Sequence, residues 1–473
     1  MPITNLATPG VYVQEISAFP PSVAQVATAV PAFVGYTQSD NSGALNLKPT
    51  RIESLLDYQS LFGTAQQEES ISVVVTDDKS NPISAVATLG TVSVYNLYYA
   101  MQLYFANGGG PCYIVSVGTQ TSGGTIDAAS GGALAKGIAA LESYDEPTII
   151  LVPEGCNASS ASDYYTNVIG PAIDLCARLQ DRFTLVDVFY DAAKNTHDNI
   201  VTDFRTDFAK TDSLNYAAAY YPYLATSVGY NYDNKNAAIT VTVNTKDSTG
   251  NPATISSNLG DTALATIYYN AAVNAINALG VTLPPSAAIA GIYALTDATR
   301  GVWKAPANVS VSMVRGVTDT ITDTDNGDMN IDPTAGKSVN AIRAFTGKGI
   351  LVWGARTLDG NSNDFRYIPV RRLYISVEES VRKACAAFVF EPNDGNTWVK
   401  VRAMIENYLT NLWRDGALVG AKPEQAFYVK VGLGVTMTQD DVLNGRMIVQ
   451  IGMAPARPAE FIILQFTQIQ QQA

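Results

Sequence analysis

The sequence predicts a mixed α/β and α+β chain: a middle α/β domain with a small β-hairpin insertion, a C-terminal α+β domain, and an N-terminal arm. Three observations predict it. Between about residues 29 and 280, short β-branched runs alternate with stretches of helical periodicity. Beyond residue 339, strands and two long helical patterns follow one another with tight glycine and proline breaks. Before residue 29, one strand-like segment stands alone.

That segment is Val11-Tyr12-Val13-Gln14-Glu15-Ile16. Phe19-Pro20-Pro21 stops it, and no hairpin partner follows nearby. A terminal strand tethered in this way pairs either within its own chain or with a neighbour's sheet. Residues 1–28 are therefore read as an arm. In the middle domain, 29–287, Ala32–Tyr36, Cys112–Val117, Thr148–Val152 and Thr184–Phe189 read as strands. Ile52–Phe62, Val92–Phe105, Ala133–Leu141, Tyr164–Leu179 and Leu264–Leu279 read as helices, Val92–Phe105 being apolar nearly all round and so buried. This order predicts an open sheet with much parallel pairing. Insertions are expected near 68–88, as a hairpin of Ile71–Val75 with Ile83–Val86, and near 230–256, around the strand Ala238–Val243.

Residues 288–338 read as a connecting segment and 339–473 as the C-terminal domain. There, Gly349–Trp353 is a buried strand and Tyr374–Val377 follows it. A helix then carries Val377, Val381, Cys385 and Phe388 at helical spacing. Pro392-Asn393-Asp394-Gly395 breaks it. A second helix, Trp398–Trp413, places Trp398, Val401, Ile405, Tyr408 and Leu412 on one face. Thr438 and Asp441 have capping-box spacing, with Gly445 as the stop. Met447–Ile451 is a strand, Pro455–Pro458 a corner, and Phe461–Ile469 a last strand.

With 473 residues, 47% hydrophobic and 15% charged, the chain is long for one core and too apolar to be disordered. No basic leader is visible at its start, and nowhere do about 18 apolar residues run uninterrupted. Cys112, Cys156, Cys176 and Cys385 lack paired spacing, which fits free thiols in a reducing compartment. A net charge of −13 argues against nucleic acid or an anionic membrane as partner. Residues 339–473 hold 15 Lys/Arg against 12 Asp/Glu, the rest 15 against 31, so a basic C-terminal unit facing an acidic partner is one expectation.

Motifs for chemistry fail on order or register. Asn107-Gly108-Gly109-Gly110 follows a helix and precedes a strand, the reverse of a phosphate loop. Gly336-Lys337-Ser338 lacks the Walker glycine, Ile331 standing in its place. Asp323, Asp325, Asp328 and Asp332 miss EF-hand register and read as an acidic loop. His197 is the only histidine, and no nucleophile elbow occurs. Glu378-Glu379 and Asp440-Asp441 are read as helix-start charges. Arg371-Arg372 is either a partner-binding pair or part of a satisfied edge. Lys400, Arg402, Arg414 and Lys422 are either a basic ridge or solvated surface. No catalytic, cofactor or metal residue is expected.

Several segments in order carry a resemblance. Gly349-Ile-Leu-Val-Trp-Gly-Ala-Arg-Thr-Leu358, Arg366-Tyr-Ile-Pro-Val-Arg-Arg372 and Ala454-Pro-Ala-Arg-Pro-Ala-Glu-Phe-Ile462 resemble the contractile tail sheath proteins of bacteriophages and phage-tail-like injection particles. Thr8-Pro-Gly-Val-Tyr-Val-Gln-Glu-Ile16 resembles that family's opening, and Asp297-Ala-Thr-Arg-Gly-Val-Trp-Lys-Ala-Pro-Ala-Asn308 the lead-in to its core. The resemblance covers roughly 1–36 and 288–473. It implies a sheath core domain completed by the N-terminal arm, subunits in helically stacked six-membered rings around an inner tube, and baseplate and terminator proteins at the ends. Contraction drives the tube through an envelope. Assembly is implied in the bacterial cytoplasm, in a particle that is then released from the cell in some members. By the same resemblance, Val11–Ile16 and Ile462, Ile463, Leu464, Gln465 and Phe466 are inter-subunit strands, Phe19, Pro20 and Pro21 the hinge, and Lys400, Arg402, Arg414 and Lys422 tube-facing. The alternatives are an α/β enzyme with a basic substrate-binding domain, and a non-contractile tube or fibre protein.

Overall fold

The computed structural model describes residues 22–79, 81–190 and 197–465. Val11–Ile16, Phe19–Pro21 and Phe466 lie outside the described residues. The strands, in chain order, are β1 (Pro31–Thr37), β2 (Thr50–Ile52), β3 (Ile71–Thr76), β4 (Ser84–Leu89), β5 (Cys112–Thr119), β6 (Ile149–Leu151), β7 (Phe183–Asp187), β8 (Ala217–Tyr221) and β9 (Leu224–Thr226). They continue with β10 (Thr240–Lys246), β11 (Pro252–Asn258), β12 (Thr282–Leu283), β13 (Val309–Ser310), β14 (Val314–Val317), β15 (Val339–Phe345), β16 (Gly349–Val352), β17 (Phe427–Lys430) and β18 (Gln450–Met453).

The chain divides into two compact units, one of 27–375 with 457–465, the other of 376–456 with 22–26. The larger unit is built on a nine-stranded sheet in the order β13-β16-β15-β8-β7-β6-β1-β5-β2. Its six inner strands, β5 to β15, pair in parallel, and β2, β16 and β13 close the edges antiparallel. Strands with helices on both faces need apolar side chains on both, hence the unbroken burial of β1, β7 and β8. The helix Leu97–Ala106 is buried on most of its circumference, because the sheet lies on one side and the helix Ser286–Arg300 on another. Gly291 permits that approach, since a Cβ there would stand 2.6 Å from the Tyr104 carbonyl.

The two insertions are one object. β10 pairs in parallel with β3, giving a second sheet of order β11-β10-β3-β4 covered by the helix Thr266–Asn277. Ile71, Val73, Val75, Val241, Val243, Ala272 and Ile276 form a hydrophobic cluster of their own beneath it.

Three expectations are corrected. The boundary at 338/339 is not where the units part. β15 and β16 complete the large sheet and Ser286–Arg300 packs into its core, so 288–375 belongs with the middle of the chain. Tyr374–Val377 is not a separate strand-like stretch but part of one helix, Ile368–Cys385. Glu378-Glu379 therefore lie in its second half, where Glu379 is buried and accepts from Arg382 at 2.6 and 2.7 Å. The acidic loop is a helix, Asp323–Asn330, capped by Thr322 and Asp325.

The smaller unit holds the helix Gly395–Arg414, whose Asp394 side chain accepts from Asn396 and Thr397 N–H groups, and the short helix Gln439–Leu443 with the expected Thr438–Asp441 box. Val401, Ile405, Tyr408 and Leu412 are buried as the helical spacing predicts, and Trp398 is half-buried. β17 and β18 pair antiparallel and form a sheet of two strands among the described residues.

Candidate assembly site

Three of the segments that carry the resemblance converge in the larger unit. Asn340 on β15 donates to the Ala219 and Arg356 carbonyls at 3.0 and 2.8 Å and accepts from Arg356 N–H at 2.8 Å. Gly354 makes room, because a Cβ there would stand 2.9 Å from the Asn340 Cα. This zips residues 354–356 against the sheet and aims the buried Arg356 at Glu460. Arg356 Nε and Nη2 donate to the Glu460 carboxylate at 2.9 and 2.6 Å. Asn330 Nδ2 and Tyr367 Oη add bonds at 2.7 and 3.2 Å. Burial pushes the Glu460 carboxyl up, but its bonds with Arg356 and Asn330 outweigh that and hold it below the usual carboxylate range.

Past this clamp the chain changes character. Phe461, Ile462, Ile463 and Leu464 are 70%, 79%, 82% and 72% exposed, and Gln465 is exposed too. The strand expected at Phe461–Ile469 is not formed over 461–465, since those residues have no ladder partner among the described residues.

A second clamp holds the other end of this unit. Arg372 donates to both Asp297 oxygens at 3.0 and 2.6 Å, and to the Thr28 carbonyl at 2.9 Å. Thr28 Oγ1 in turn donates to Asp297 at 2.6 Å. The Arg372 guanidinium also lies 4.5 Å from the Tyr293 ring. Arg371 is sandwiched between the Tyr216 and Phe365 rings, 4.4 and 4.7 Å away. Both arginines are thus buried inside the protein, which settles the choice left open for them against an exposed partner-binding pair.

The basic candidates do not form a single ridge. Lys400, Arg402, Arg414 and Lys422 are all exposed. Arg402 bonds Glu406 at 2.8 Å, while Lys400, Arg414 and Lys422 have no carboxylate partner among the described residues. Lys400 and Arg402 fall about 160° apart around the helix, on opposite flanks. Nor is the smaller unit basic: 376–456 holds eight Lys/Arg against nine Asp/Glu.

Perturbed carboxylates do occur, as the enzyme alternative required, but they are sealed. Glu154 is wholly buried and accepts from the Tyr36 and Leu97 N–H groups at 2.7 and 3.0 Å. Asp187 accepts from Ser286 N–H at 2.8 Å, at the start of the helix Ser286–Arg300, and burial pushes its carboxyl up to about 7. Both act as caps in the core, with no access for a substrate. No cluster of His, Cys, Asp or Glu able to hold a metal, and no helix long and apolar enough to cross a membrane, occurs among the described residues. Asn107 to Gly110 close the helix Leu97–Ala106, with Gly108 at φ 96°.

A family model for the phage tail sheath C-terminal domain matches residues 361–469. The contracted-state sheath complex of PVC, an extracellular contractile injection system, is 30% identical with a TM-score of 0.66, the match covering 98% of each chain. The contracted helical sheath of the anti-feeding prophage is 32% identical with a TM-score of 0.64, covering 98% of this chain and 100% of that one. The chain belongs to the contractile tail sheath family, and its role is structural. Within that family its full-length similarity is to sheaths of phage-tail-like injection systems. It is also 26% identical over 185 residues to the tail sheath protein of Vibrio phage KVP40, and that match spans about a quarter (26%) of the phage protein.

Proposed function

We propose that copies of this chain form the sheath of a contractile injection particle by exchanging their terminal arms. Rings of six stack with a helical offset around an inner tube, between a baseplate and a terminator. What supports the exchange is the C-terminal arm: an apolar run of strand-forming residues, clamped at Glu460 and left in solvent immediately beyond it. Exposed apolar runs of this kind mark a surface meant to be covered. The two-stranded β17–β18 sheet offers strand edges for a neighbour's Ile462–Phe466 and Val11–Ile16 to extend, and edge addition supplies main-chain bonds to both partners. Phe19-Pro20-Pro21 is the hinge of the N-terminal arm.

Extended and contracted lattices are two packings of one subunit, so contraction releases free energy stored at assembly and needs no nucleotide or catalytic residue. A gain on the order of a few kcal/mol per subunit, multiplied along the particle, suffices. Lys400, Arg414 and Lys422, free of carboxylates, are the better candidates for tube contact, with Arg402 already engaged by Glu406. Synthesis and assembly take place in the cytoplasm, before any release of the particle.

Electron microscopy of the purified protein tests this reading. Hollow cylinders of two diameters are expected, and deletion of residues 1–18 should leave folded monomers that do not polymerise. Normal cylinders from the truncated chain would discard the arm exchange, and a monodisperse wild-type monomer would discard the sheath.

A further inference from the structure

Phe390 is held in a conformation from which the isolated chain gains nothing. It lies between the helices Ile368–Cys385 and Gly395–Arg414, in a turn closed by Glu391 N–H donating to the Phe388 carbonyl at 3.1 Å. Its φ is 71°, in the left-handed region that a bulky side chain rarely occupies. Phe388 is buried, but the Phe390 ring is fully exposed and its neighbour Val389 is 61% exposed. Strain together with full exposure of an aromatic marks a functional position, because neither is returned by packing within the chain.

We propose that Val389-Phe390 is a knob that inserts into a second copy of this chain. The recess it fits is the cavity of about 520 Å3 beside the Glu460 clamp, lined by Ala305, Ala307, Trp353, Tyr367, Pro458 and Phe461. That volume is in the range of ligand-sized pockets, roughly 300–1,000 Å3, and its wall sets aromatic rings and alanine methyls beside the polar side chains of Asn308, Asn326, Asn330 and Glu460. Two features favour a copy of this chain over another protein. The recess adjoins the C-terminal arm, so the contact is continuous with the surface across which arms are exchanged. Knob and recess are also different patches of one chain, and a head-to-tail contact of that kind builds a ring or an open helix, the two arrangements a sheath combines, instead of a two-fold dimer. The inference rests on the sheath reading and adds a specific inter-subunit contact to it.

The test separates the knob's role in assembly from any role in folding. Phe390→Gly relieves the left-handed strain, so the melting temperature of the dispersed chain should not fall. The same substitution should raise the critical concentration for cylinder formation roughly tenfold or more, through loss of one buried aromatic per contact. In a Cys385→Ser background the remaining cysteines are buried. There, co-assembled Phe390→Cys and Ala307→Cys chains should give oxidised dimers that neither variant gives alone. Wild-type polymerisation by Phe390→Gly, or no cross-link in intact cylinders, overturns the contact. Cylinders that assemble normally from Phe390→Gly but no longer hold the tube assign the knob to the tube instead. A wild-type chain that never forms cylinders sinks the sheath reading, and this contact with it.

Discussion

Charge at the residue scale misled where burial was invisible. The excess of cations beyond residue 339 comes largely from Arg343, Arg356, Arg371 and Arg372, and each is used up locally. Arg343 bonds Asp323 at 2.8 Å, Arg356 holds Glu460, Arg372 holds Asp297, and Arg371 lies between two rings. A sequence lists an arginine but not the carboxylate 75 residues away that neutralises it. The segments that carried the resemblance were legible as wording, and their physical content, two clamps at the roots of the two arms, was not. Asp187 permits a sharper statement. Its Oδ2 is buried without a partner and can carry a proton. With a carboxyl pushed up to about 7 by burial, the folded chain holds a proton that the unfolded chain releases near pH 4. Stability should therefore fall as pH rises from about 4 to about 7, by a few kcal/mol at about 1.4 kcal/mol per unit. Denaturant titrations of wild type and Asp187→Asn at pH 5 and 8 check this. Burial also pushes the Glu154 carboxyl up, to about 8. The variant should therefore lose only the Asp187 share of the slope and keep the Glu154 share, and an unchanged slope would exonerate Asp187.

Elements were legible in proportion to how local their determinants are. The Thr438–Asp441 box and the β3–β4 hairpin depend on residues close together in the chain, and they form as the sequence predicts, while Asp394, read only as part of a helix break, proves to cap the next helix. The first half of the helix Ile368–Cys385 was missed because Ile368, Val370, Arg371, Arg372, Leu373 and Ile375 are all buried, so no polar stripe reveals the 3.6-residue period. The pairing of β3 with β10 spans well over a hundred residues, and strand alternation names a face but never a partner. That pairing makes the two insertions interdependent. Deleting 238–258 alone should expose the β3 edge and strip the cluster of Val241 and Val243, giving a chain that aggregates on size-exclusion chromatography. A monodisperse product would show that the first hairpin stands by itself.

At the scale of the molecule, alternating strands and helices predicted the parallel sheet, but not that β15 and β16 would return to close it. The chain crosses from one compact unit to the other within a continuous helix, where no glycine or proline marks the passage. Tryptophan placement makes the division measurable: Trp303 and Trp353 belong to the larger unit, Trp398 and Trp413 to the smaller. The smaller unit is held by two-stranded pairing and a few helices, so it should open first in urea. Variants keeping one tryptophan pair or the other should then report separated fluorescence midpoints. Coincident midpoints would mean a single cooperative block. One turn has a practical use as well. Between β10 and β11, the Asp247 side chain accepts from the Thr249 and Asn251 N–H groups at 2.8 and 3.0 Å, so the loop is bonded to itself and to little else. A foreign epitope grafted at Gly250 would disturb only that loop, and every copy in the polymer would then carry the graft at the same repeating interval.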